Sequence, residues 1–318
     1  MRLIKTEDAV GHVLCHDMTQ IIKDQYKDAR FRKGHVVTEE DIPVLLSMGK
    51  EHLYVWEMTS GMVHENDAAE RLLALCGQEN MIRSGVKEGK IELKAACDGV
   101  FLVDSARLVA VNSQDEVMIA TRKGGMAVRE GDKLAGMRVI PLIIEEEKLR
   151  KAEQAAGDEP LLSLKPYVRK TACIVATGGE VKKGLIKDTF TPVVIDKLKT
   201  YGIETLEVIY SGDGVENVRD AVLTMREKKP DMILCTGGMS VDPDDNTPGG
   251  IKAAGANIIA YGAPVLPGAM FLLGYFDDGM PVMGLPGCVM YAGATVFDLV
   301  LPKIAADVPV TRADLAAL

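Results

Sequence analysis

The chain has 318 residues, of which 26% are charged and 47% hydrophobic, and its formal net charge is −9. Because one hydrophobic core rarely serves more than about 250–300 residues, this length predicts two or three domains. The balanced composition excludes an intrinsically disordered chain, and the acidic net charge argues against a nucleic-acid partner. The six cysteines form no CxxC pair and the charged first residues do not resemble a signal peptide, so we expect a cytoplasmic location.

The first half of the chain predicts a small mixed region, a β-rich region and a linker. Residues 1–60 form a small α+β segment, in which 38–48 predict a helix and the run HLYVW a strand. Residues 61–144 form a β-rich domain, either a small barrel or a sandwich, with strands predicted at VFLVD, LVAV, VMIAT and MRVIPLII. Residues 145–167 are highly charged and predict a linker helix.

Strands and helices alternate after the linker. Apolar runs predict three strands, at 171–176, 203–209 and 232–235. Helix signals lie between them, at Thr191-Pro192 and at the amphipathic spacing of residues 218, 221, 222 and 225. This order predicts an α/β fold, a mostly parallel three-layer α/β/α domain over 168–308. A smaller mixed, β-rich N-terminal region precedes it, and 309–318 form a tail.

One stretch of this domain, residues 253–276, carries no charge. A bilayer demands a continuous helix, whereas Pro264, Pro267 and several glycines interrupt this stretch. We therefore expect buried strands and turns here, and no membrane partner.

Each of the three predicted strands is followed by a glycine-rich loop: TGGE (177–180), SGDG (211–214) and TGGMS (236–240). Ligands of open parallel sheets bind beyond the carboxyl ends of the strands, so we expect the loops to meet at one edge. Paired glycines let backbone N–H groups approach an anion closely, and Thr or Ser adds a donor. Thr247 and Pro248 are typical of the N-cap and first residue of a short helix, whose amides also favour a negative group.

The loops also carry carboxylates: Glu180, Asp213 and Asp245. Carboxylates repel an anionic ligand unless a cation lies between them. The pattern therefore predicts Mg²⁺ held by these three side chains against phosphate-like oxygens.

The ordered motifs of this half resemble the molybdopterin-binding domain shared by molybdopterin molybdenumtransferases, the C-terminal domain of gephyrin and molybdopterin adenylyltransferases. TGGE is followed by GLIKDTF, where the transferases read Gly-x-Ile-x-Asp-Ser-Asn. TGGMSVDPDD resembles the transferase pattern of two glycines, a serine and a final aspartate, and the following NTP resembles the adenylyltransferase Asp-x-Thr-Pro. VLPGAM (265–270) and GLPGCV (284–289) resemble the Pro-Gly-Lys-Pro and Leu-Pro-Gly-Asn-Pro loops.

The resemblance implies a site for molybdopterin or its adenylylated form, with Glu180, Asp213 and Asp245 as catalytic carboxylates and metal ligands. The positions that match the motifs are the expected ligand-binding residues: Thr177, Gly178, Gly179, Asp188, Thr236, Gly237, Gly238, Ser240, Thr247, Pro248, Pro267, Gly268, Pro286 and Gly287. The implied reaction is Mg²⁺-dependent insertion of molybdate with cleavage of the adenylyl group.

Two other functions stay open. The Asp-x-Thr-Pro pattern favours adenylyl transfer, whereas departures from the motifs favour a non-catalytic molybdopterin carrier or sensor. These departures are Phe190, Ala269, Met270, Cys288 and Val289. The N-terminal half would then dock a partner, such as a molybdoenzyme or another protein of the cofactor pathway. The family also implies a homodimer or trimer, for which the apolar segment 280–306 offers interface surface.

Overall fold

The structure is a computed structural model that describes residues 2–22, 26–55, 61–182, 185–240, 242 and 245–318. The chain divides into two compact units. The N-terminal unit comprises Met1–Ala96, Val103–Gly124 and Gly131–Ser163, and the C-terminal unit comprises Cys97–Leu102, Gly125–Glu130 and Leu164–Leu318. Two short segments from the middle of the chain therefore belong to the C-terminal unit.

The strands of the described residues are, in chain order, β1 (Arg2–Lys5), β2 (Met18–Ile22), β3 (Tyr26–Phe31), β4 (His52–Val55), β5 (Met62–His64), β6 (Met81–Arg83), β7 (Ile91–Ala95), β8 (Gly99–Val103), β9 (Val117–Thr121), β10 (Met126–Val128), β11 (Lys133–Val139), β12 (Ile143–Glu145), β13 (Leu162–Pro166), β14 (Thr171–Thr177), β15 (Glu204–Ser211), β16 (Met232–Thr236), β17 (Asn257–Tyr261), β18 (Leu272–Tyr275) and β19 (Pro281–Leu285).

The helices are α1 (Asp41–Ser47), α2 (Glu65–Ala74), α3 (Ser105–Asn112), α4 (Glu146–Ala156), α5 (Gly179–Lys182), α6 (Phe190–Lys199), α7 (Val215–Glu227), α8 (Thr247–Ala253), α9 (Val296–Ala305) and α10 (Arg312–Ala316). Short 3-10 turns occur at Thr6–Asp8 and Gly287–Met290.

The N-terminal unit is built from small antiparallel sheets. Strands β6, β7, β11 and β9 form its four-stranded sheet, against which α2 packs, and β1–β4, β2–β3 and β5–β12 are pairs. The predicted strand HLYVW is confirmed as β4, except for Trp56, which lies outside the described residues. The domain boundaries expected within residues 1–167 stay predictions.

One predicted strand of this unit is wrong: the run LVAV lies in helix α3. The carboxylate of Asp104 accepts a hydrogen bond from the N–H of Arg107 at 3.0 Å, which caps the first turn. Leu108 and Val111 are buried at a spacing of three residues, while Val109 between them is 65% exposed. An apolar run of four residues is too short for its periodicity to distinguish a helix with one buried face from a strand.

The C-terminal unit contains a six-stranded sheet in the order β15-β14-β16-β19-β18-β17. The pairs β14–β15, β14–β16 and β16–β19 are parallel, whereas β18 and β17 run antiparallel. A separate three-stranded sheet has the order β10-β8-β13. The mostly parallel α/β fold predicted from the strand–helix alternation is confirmed.

A hydrophobic core lies on each face of this sheet, because successive strand residues point to opposite sides. In β14, Ala172 and Ile174 join the core that contains α6 and α9 residues. Cys173 and Val175 join the core that contains α7 and α8 residues. This arrangement is the three-layer α/β/α architecture, and α10 adds Leu315 to the first core although it lies in the predicted tail.

Part of the segment 280–306 lies in the core of its own unit. All five residues of β19 are buried, and most of α9 is buried as well. Met290 and Tyr291, between these two elements, are exposed, and an interface formed by this segment stays a prediction. The charge-free stretch 253–276 contains β17 and β18, and within the described part of the chain no helix has the length and apolar character that a bilayer crossing requires.

Candidate functional site

The carboxyl ends of four strands meet at one edge of the six-stranded sheet. The last residue of β14, Thr177, pairs with Ser211 at the end of β15, and Ala176 pairs with Thr236 at the end of β16. Thr236 in turn pairs with Leu285 at the end of β19. The loops TGGE, SGDG and TGGMS therefore leave the sheet side by side, together with the LPGC segment that follows β19.

Threonine hydroxyls connect these loops through hydrogen bonds. The hydroxyl of Thr177 donates to the carbonyl oxygen of Thr236 at 2.9 Å and lies 3.2 Å from the hydroxyl of Thr247. Thr247 donates to the carbonyl oxygen of Gly237 at 2.9 Å. Thr177, Thr236 and Thr247 are 9, 2 and 1% exposed. The hydroxyls of Thr177 and Thr247 thus hold the loops together, and a role of the three threonines as ligand donors stays a prediction.

Thr247 is the first residue of α8, and Asn246 occupies the N-cap position that the sequence assigns to Thr247. The reason is that the Thr247 side chain turns to the carbonyl of Gly237 and caps nothing in its own helix. Pro248 follows within the first turn of this seven-residue helix.

The two glycines after β16 are fixed by their surroundings. Gly237 has a φ of 82° and Gly238 a φ of 58°, in the left-handed region that favours glycine. A Cβ on Gly237 would collide with the carbonyl oxygen of Thr177, and one on Gly238 would lie 2.6 Å from the Thr247 hydroxyl. These glycines are required by the packing of the loops, before any ligand is considered.

Two of the three predicted carboxylates are tied to the loops. Asp213 accepts a hydrogen bond from the N–H of Gly179 at 3.0 Å, so the loops after β14 and β15 are joined. Asp245 accepts one from the N–H of Ser240 at 2.9 Å, which closes the loop after β16. Glu180 lies in the short helix α5, and its side chain is outside the described residues.

The described residues do not by themselves make a magnesium site. Among them, no three or more His, Cys, Asp or Glu side chains form a cluster that could hold a metal ion. Asp213 and Asp245 supply two carboxylates, and a cation that takes mostly oxygen ligands needs more. Joint binding of Mg²⁺ by Glu180, Asp213 and Asp245 stays a prediction.

Asp188 stabilises the start of α6. Its Oδ1 accepts hydrogen bonds from the N–H groups of Phe190 at 2.9 Å and Thr191 at 3.0 Å. Burial raises the pKa of Asp188, but the donors of Thr191, Phe190 and the Tyr210 hydroxyl outweigh it and lower the pKa below its usual value. The carboxylate is therefore ionised at neutral pH and serves a helix N-terminus, a role that the sequence resemblance does not indicate.

A cleft of about 430 Å³ is lined by the loop after β16, the loop around Gly268 and the segment after β19, and we call it the first cleft. Thr177, Gly178, Gly179 and Asp213 are not among the described residues that line it. The predicted residues that line it are Gly237, Gly238, Ser240, Asp245, Gly268, Pro286 and Gly287. The positions that depart from the family motifs also line it, as Ala269, Met270 and Cys288. Of the described lining residues, Asp245 alone carries a charge. The first cleft is therefore mostly apolar, with one carboxylate.

Pro267 and Gly268 shape the loop beside the first cleft. The Leu266–Pro267 peptide bond is cis, and Gly268 has a φ of 121°. A Cβ on Gly268 would lie 2.9 Å from a methyl carbon of Val296, at the start of α9. Gly178 also has a positive φ, 137°, but its Cβ position is open.

Sequence reasoning missed three residues around this cleft: Met239, Tyr261 and Tyr291. Met239 and Tyr291 line it, and the Tyr261 hydroxyl donates to the carbonyl oxygen of Met239 at 2.9 Å. Burial raises the pKa of Tyr261, and the neighbouring charge of Asp245 raises it further. No signal in the sequence marks Tyr261, because it lies in the charge-free stretch and far along the chain from the loop it contacts.

Comparisons with known proteins match the C-terminal part of the chain to a family and leave the site residues as predictions. Residues 173–306 match a family model described as a probable molybdopterin binding domain, and residues 3–57 match a domain of unknown function. A CinA-like protein of Mycobacterium tuberculosis is 32% identical over 80 residues, which are 25% of this chain and 19% of that protein. The chain thus spans about a fifth of the length of the curated relatives it matches.

Several solved structures resemble part of the chain at low identity, among them the following two. A protein CinA of unknown function from Thermoplasma acidophilum covers 43% of this chain and 98% of its own, with 19% identity and a TM-score of 0.36. The molybdopterin biosynthesis enzyme MoaB of Thermus thermophilus covers 42% and 91%, with 18% identity and a TM-score of 0.37.

Proposed function

Because residues 173–306 form a domain of the molybdopterin-binding family, we propose that this chain binds molybdopterin, or its adenylylated form, in the first cleft. The observation that carries the proposal is that three of the matched motifs, TGGMSVDPDD, VLPGAM and GLPGCV, contribute residues to that cleft. Segments after β16 and β19 and the loop around Gly268 line one cleft of about 430 Å³, a volume suited to a small organic ligand.

The catalytic version of this proposal is a Mg²⁺-dependent transferase that inserts molybdate into adenylylated molybdopterin. It is supported by the carboxylates of Asp213 and Asp245, which stand at the strand ends on loops fixed by hydrogen bonds. Such a reaction needs positioning and charge compensation more than a protein nucleophile. Glu180 would complete the carboxylate set.

A second candidate is a non-catalytic molybdopterin carrier or sensor. It is favoured by the lining of the first cleft, where the described residues include no lysine, arginine or histidine. Ala269 and Met270 occupy the position of the family's Lys-Pro, so the positive charge expected to face an oxyanion is absent there. Such a protein would hold its ligand without inserting molybdate, and its N-terminal half would dock a molybdoenzyme or a protein of the cofactor pathway in the cytoplasm.

Isothermal titration separates these functions. We expect molybdopterin or its adenylylated form to bind the full chain, and the transferase predicts tighter binding with Mg²⁺ and product formation when molybdate is added. Tight binding without turnover identifies the carrier, and consumption of ATP with molybdopterin identifies the adenylyltransferase that the NTP segment suggests. Absence of binding by both ligands contradicts the proposal as a whole.

A further inference from the structure

A groove of about 400 Å³ lies in the N-terminal unit, between helix α3 and residues 121–124 at the end of β9. We call it the α3 groove. Its apolar lining consists of Val103, Leu108 and Val109. It shares no lining residue with the first cleft, and none of the family motifs identified in the sequence reaches it.

One face of α3 lines this groove. Ser105, Val109 and Ser113 follow one another at spacings of four residues, which places them on the same side of a helix. Val109, in the middle of this face, is 65% exposed. Valine is a poor helix former because its β carbon is branched, and an exposed valine adds little to the core. A contact with a partner accounts for an apolar side chain at this position.

The two walls of the α3 groove are fixed to each other. The side chain of Asn112 accepts a hydrogen bond from the N–H of Ile119 at 2.8 Å and donates one to its carbonyl oxygen at 2.9 Å. Gly124 packs closely on Val103, since a Cβ on Gly124 would lie 2.9 Å from the backbone nitrogen of Val103. The groove is therefore formed before a partner binds, which reduces the entropy that binding costs.

The lining of the α3 groove is positively charged. Arg122 and Lys123 are its charged residues, and both are exposed. Arg122 pairs with Asp132 at 2.7 Å, whereas no carboxylate in the described part of the chain pairs with Lys123. Because the whole chain has a net charge of −9, this groove is a local exception. An acidic segment is attracted here and repelled by the net charge of the rest of the molecule.

The exposure of the lining residues favours a polypeptide segment over a small molecule. Val109, Arg122 and Lys123 are exposed, whereas a small-molecule site encloses most of its ligand. A nucleic acid is not favoured either. The described lining has no aromatic side chain on which a base could stack, and two cations are few for a phosphate backbone.

We propose that the α3 groove docks an acidic segment of a partner protein. One large apolar side chain of that segment lies against Val103, Leu108 and Val109, and a carboxylate beside it pairs with Lys123. This docking goes beyond the binding of molybdopterin and does not depend on it, since the two sites have no lining residue in common.

The test uses a peptide probe selected from a display library of random peptides on the full chain without ligand. We expect the enriched peptides to share a large apolar residue flanked by Asp or Glu. Fluorescence anisotropy then measures the affinity of one such peptide for variants of the chain. Val109→Glu should weaken binding by more than about tenfold, because it places a charge at the apolar contact, and Val109→Ala should weaken it by about threefold.

The charge of the groove is tested separately. Lys123→Glu should weaken binding of the peptide by about tenfold, because an attraction becomes a repulsion. Lys94→Glu is the matched control, since it makes the same change of charge at an exposed position of β7 outside the groove. It should change the affinity by less than about twofold, because salt screens distant charges. Thermal melting of each variant establishes that it is folded.

Several results overturn the proposal. One is a selection that yields no peptide binding more tightly than about millimolar, or only peptides without the acidic and apolar residues. Another is a peptide whose affinity is the same for Val109→Glu, or is lowered as much by Lys94→Glu as by Lys123→Glu. A loss of self-association in Val109→Glu, measured by sedimentation, would assign the groove to a second copy of the chain and likewise overturn a separate partner.

Discussion

Gly238 has a φ of 58°, and a Cβ there would lie 2.6 Å from the Thr247 hydroxyl. We expect Gly238→Ala to lower the free energy of unfolding by about 1–3 kcal/mol, because it adds both backbone strain and a close contact. The measurement is thermal or urea unfolding without ligand. Gly287→Ala is the matched control, since its Cβ position is open, and should change stability by less than about 0.5 kcal/mol.

Equal stability of both variants would show that the loop after β16 relaxes around a side chain. The same contacts affect how a larger substitution at Gly238 is interpreted in a binding measurement. A branched residue at Gly238 disrupts the loop itself, so its loss of binding cannot be assigned to a blocked phosphate.

Substitutions of Asp245 can distinguish an effect on ligand binding from an effect on stability. Asp245→Asn keeps an oxygen that can accept the N–H of Ser240 but removes the negative charge. We expect ligand affinity or turnover to fall by about tenfold, on the scale of a weakened metal site, while the melting temperature hardly moves. Asp245→Ala should in addition lose about 1 kcal/mol of stability with the hydrogen bond. Unchanged affinity in Asp245→Asn would mean that the carboxylate only closes the loop.

At the scale of the residue, the three loops leave the same edge of the sheet as predicted, but some of their hydroxyl groups have partners that were not expected. Thr177 and Thr247 carry donors of the expected kind, but their hydroxyls are used by carbonyl groups of neighbouring loops. The carbonyl of Thr236 is 59 positions from Thr177 and meets it only because β14 and β16 are neighbours in the sheet, whereas the carbonyl of Gly237 is 10 positions from Thr247 and meets it where the loop after β16 folds back. A motif gives the type of donor, and the fold decides which acceptor it meets.

At the scale of the element, helix α2 begins with a cap that depends on pH. The ring of His64 accepts a hydrogen bond from the N–H of Asn66 at 3.2 Å through Nδ1 and donates to the carbonyl oxygen of Cys15 at 2.6 Å through Nε2. Burial lowers the pKa of His64 most, the ammonium of Lys33 lowers it further, and the Cys15 carbonyl and Asp67 offset this only in part. The cap therefore requires the neutral ring.

The sign of the pH dependence follows from this lowered pKa. Above about pH 6.5, the unperturbed value, His64 is neutral in both the folded and the unfolded chain, and the stabilisation by the cap is complete. As the pH falls below that value, the unfolded chain binds a proton that the folded ring resists, so the free energy of unfolding decreases.

The measurement is urea unfolding at pH 7.5 and pH 5 for the unaltered chain and for His64→Asn, which keeps a capping acceptor but does not titrate. The variant should lose less stability on acidification. Glu65, whose pKa burial raises, titrates in both proteins, so its contribution largely cancels in the difference. Burial lowers the pKa of His16 most, but the charge of His64 lowers it too, so the difference includes this coupling between the two histidines. The same acid sensitivity in both would contradict the assignment to His64.

Elements were predictable where the apolar pattern was long or was bounded by clear signals. The helix with buried residues Val218, Ala221, Val222 and Met225 was predicted from spacing and is confirmed as α7. The four-residue run in α3 was too short to predict a helix, and the side chain of Asp104 caps the helix that forms there. The first residue of α8 was displaced by one because the Thr247 side chain bonds to a distant carbonyl.

At the scale of the molecule, the parallel order of β14, β15 and β16 was predictable because helices connect strands that run the same way. The antiparallel edge of β18 and β17 was not, since its strands lie in a stretch without the helical connection that predicts direction. The interface expected at 280–306 stays a prediction, because β19 and most of α9 are core while Met290 and Tyr291 are exposed. Apolar residues serve a core or a partner equally well, and composition does not separate these uses.

We still expect the full chain to form a homo-oligomer, most simply a two-fold dimer, because closed two-fold symmetry is the commonest arrangement of identical subunits. Sedimentation velocity at micromolar concentration measures this directly. A single species with the mass of one chain, 34.3 kDa, would contradict the prediction, and a species of three times that mass would identify the trimer that the family also allows.

The three-stranded sheet β10-β8-β13 joins segments that are made at different times. Strands β8 and β10 leave the ribosome before the charged helix α4, whereas β13 follows it. One edge of β8 therefore stays unpaired until α4 and then β13 have been synthesised. A gene divided within 145–160 would separate β8 from β13 and leave an open strand edge, which is a known route to aggregation. The position that composition marks as a natural boundary is for this reason a poor place to cut the chain.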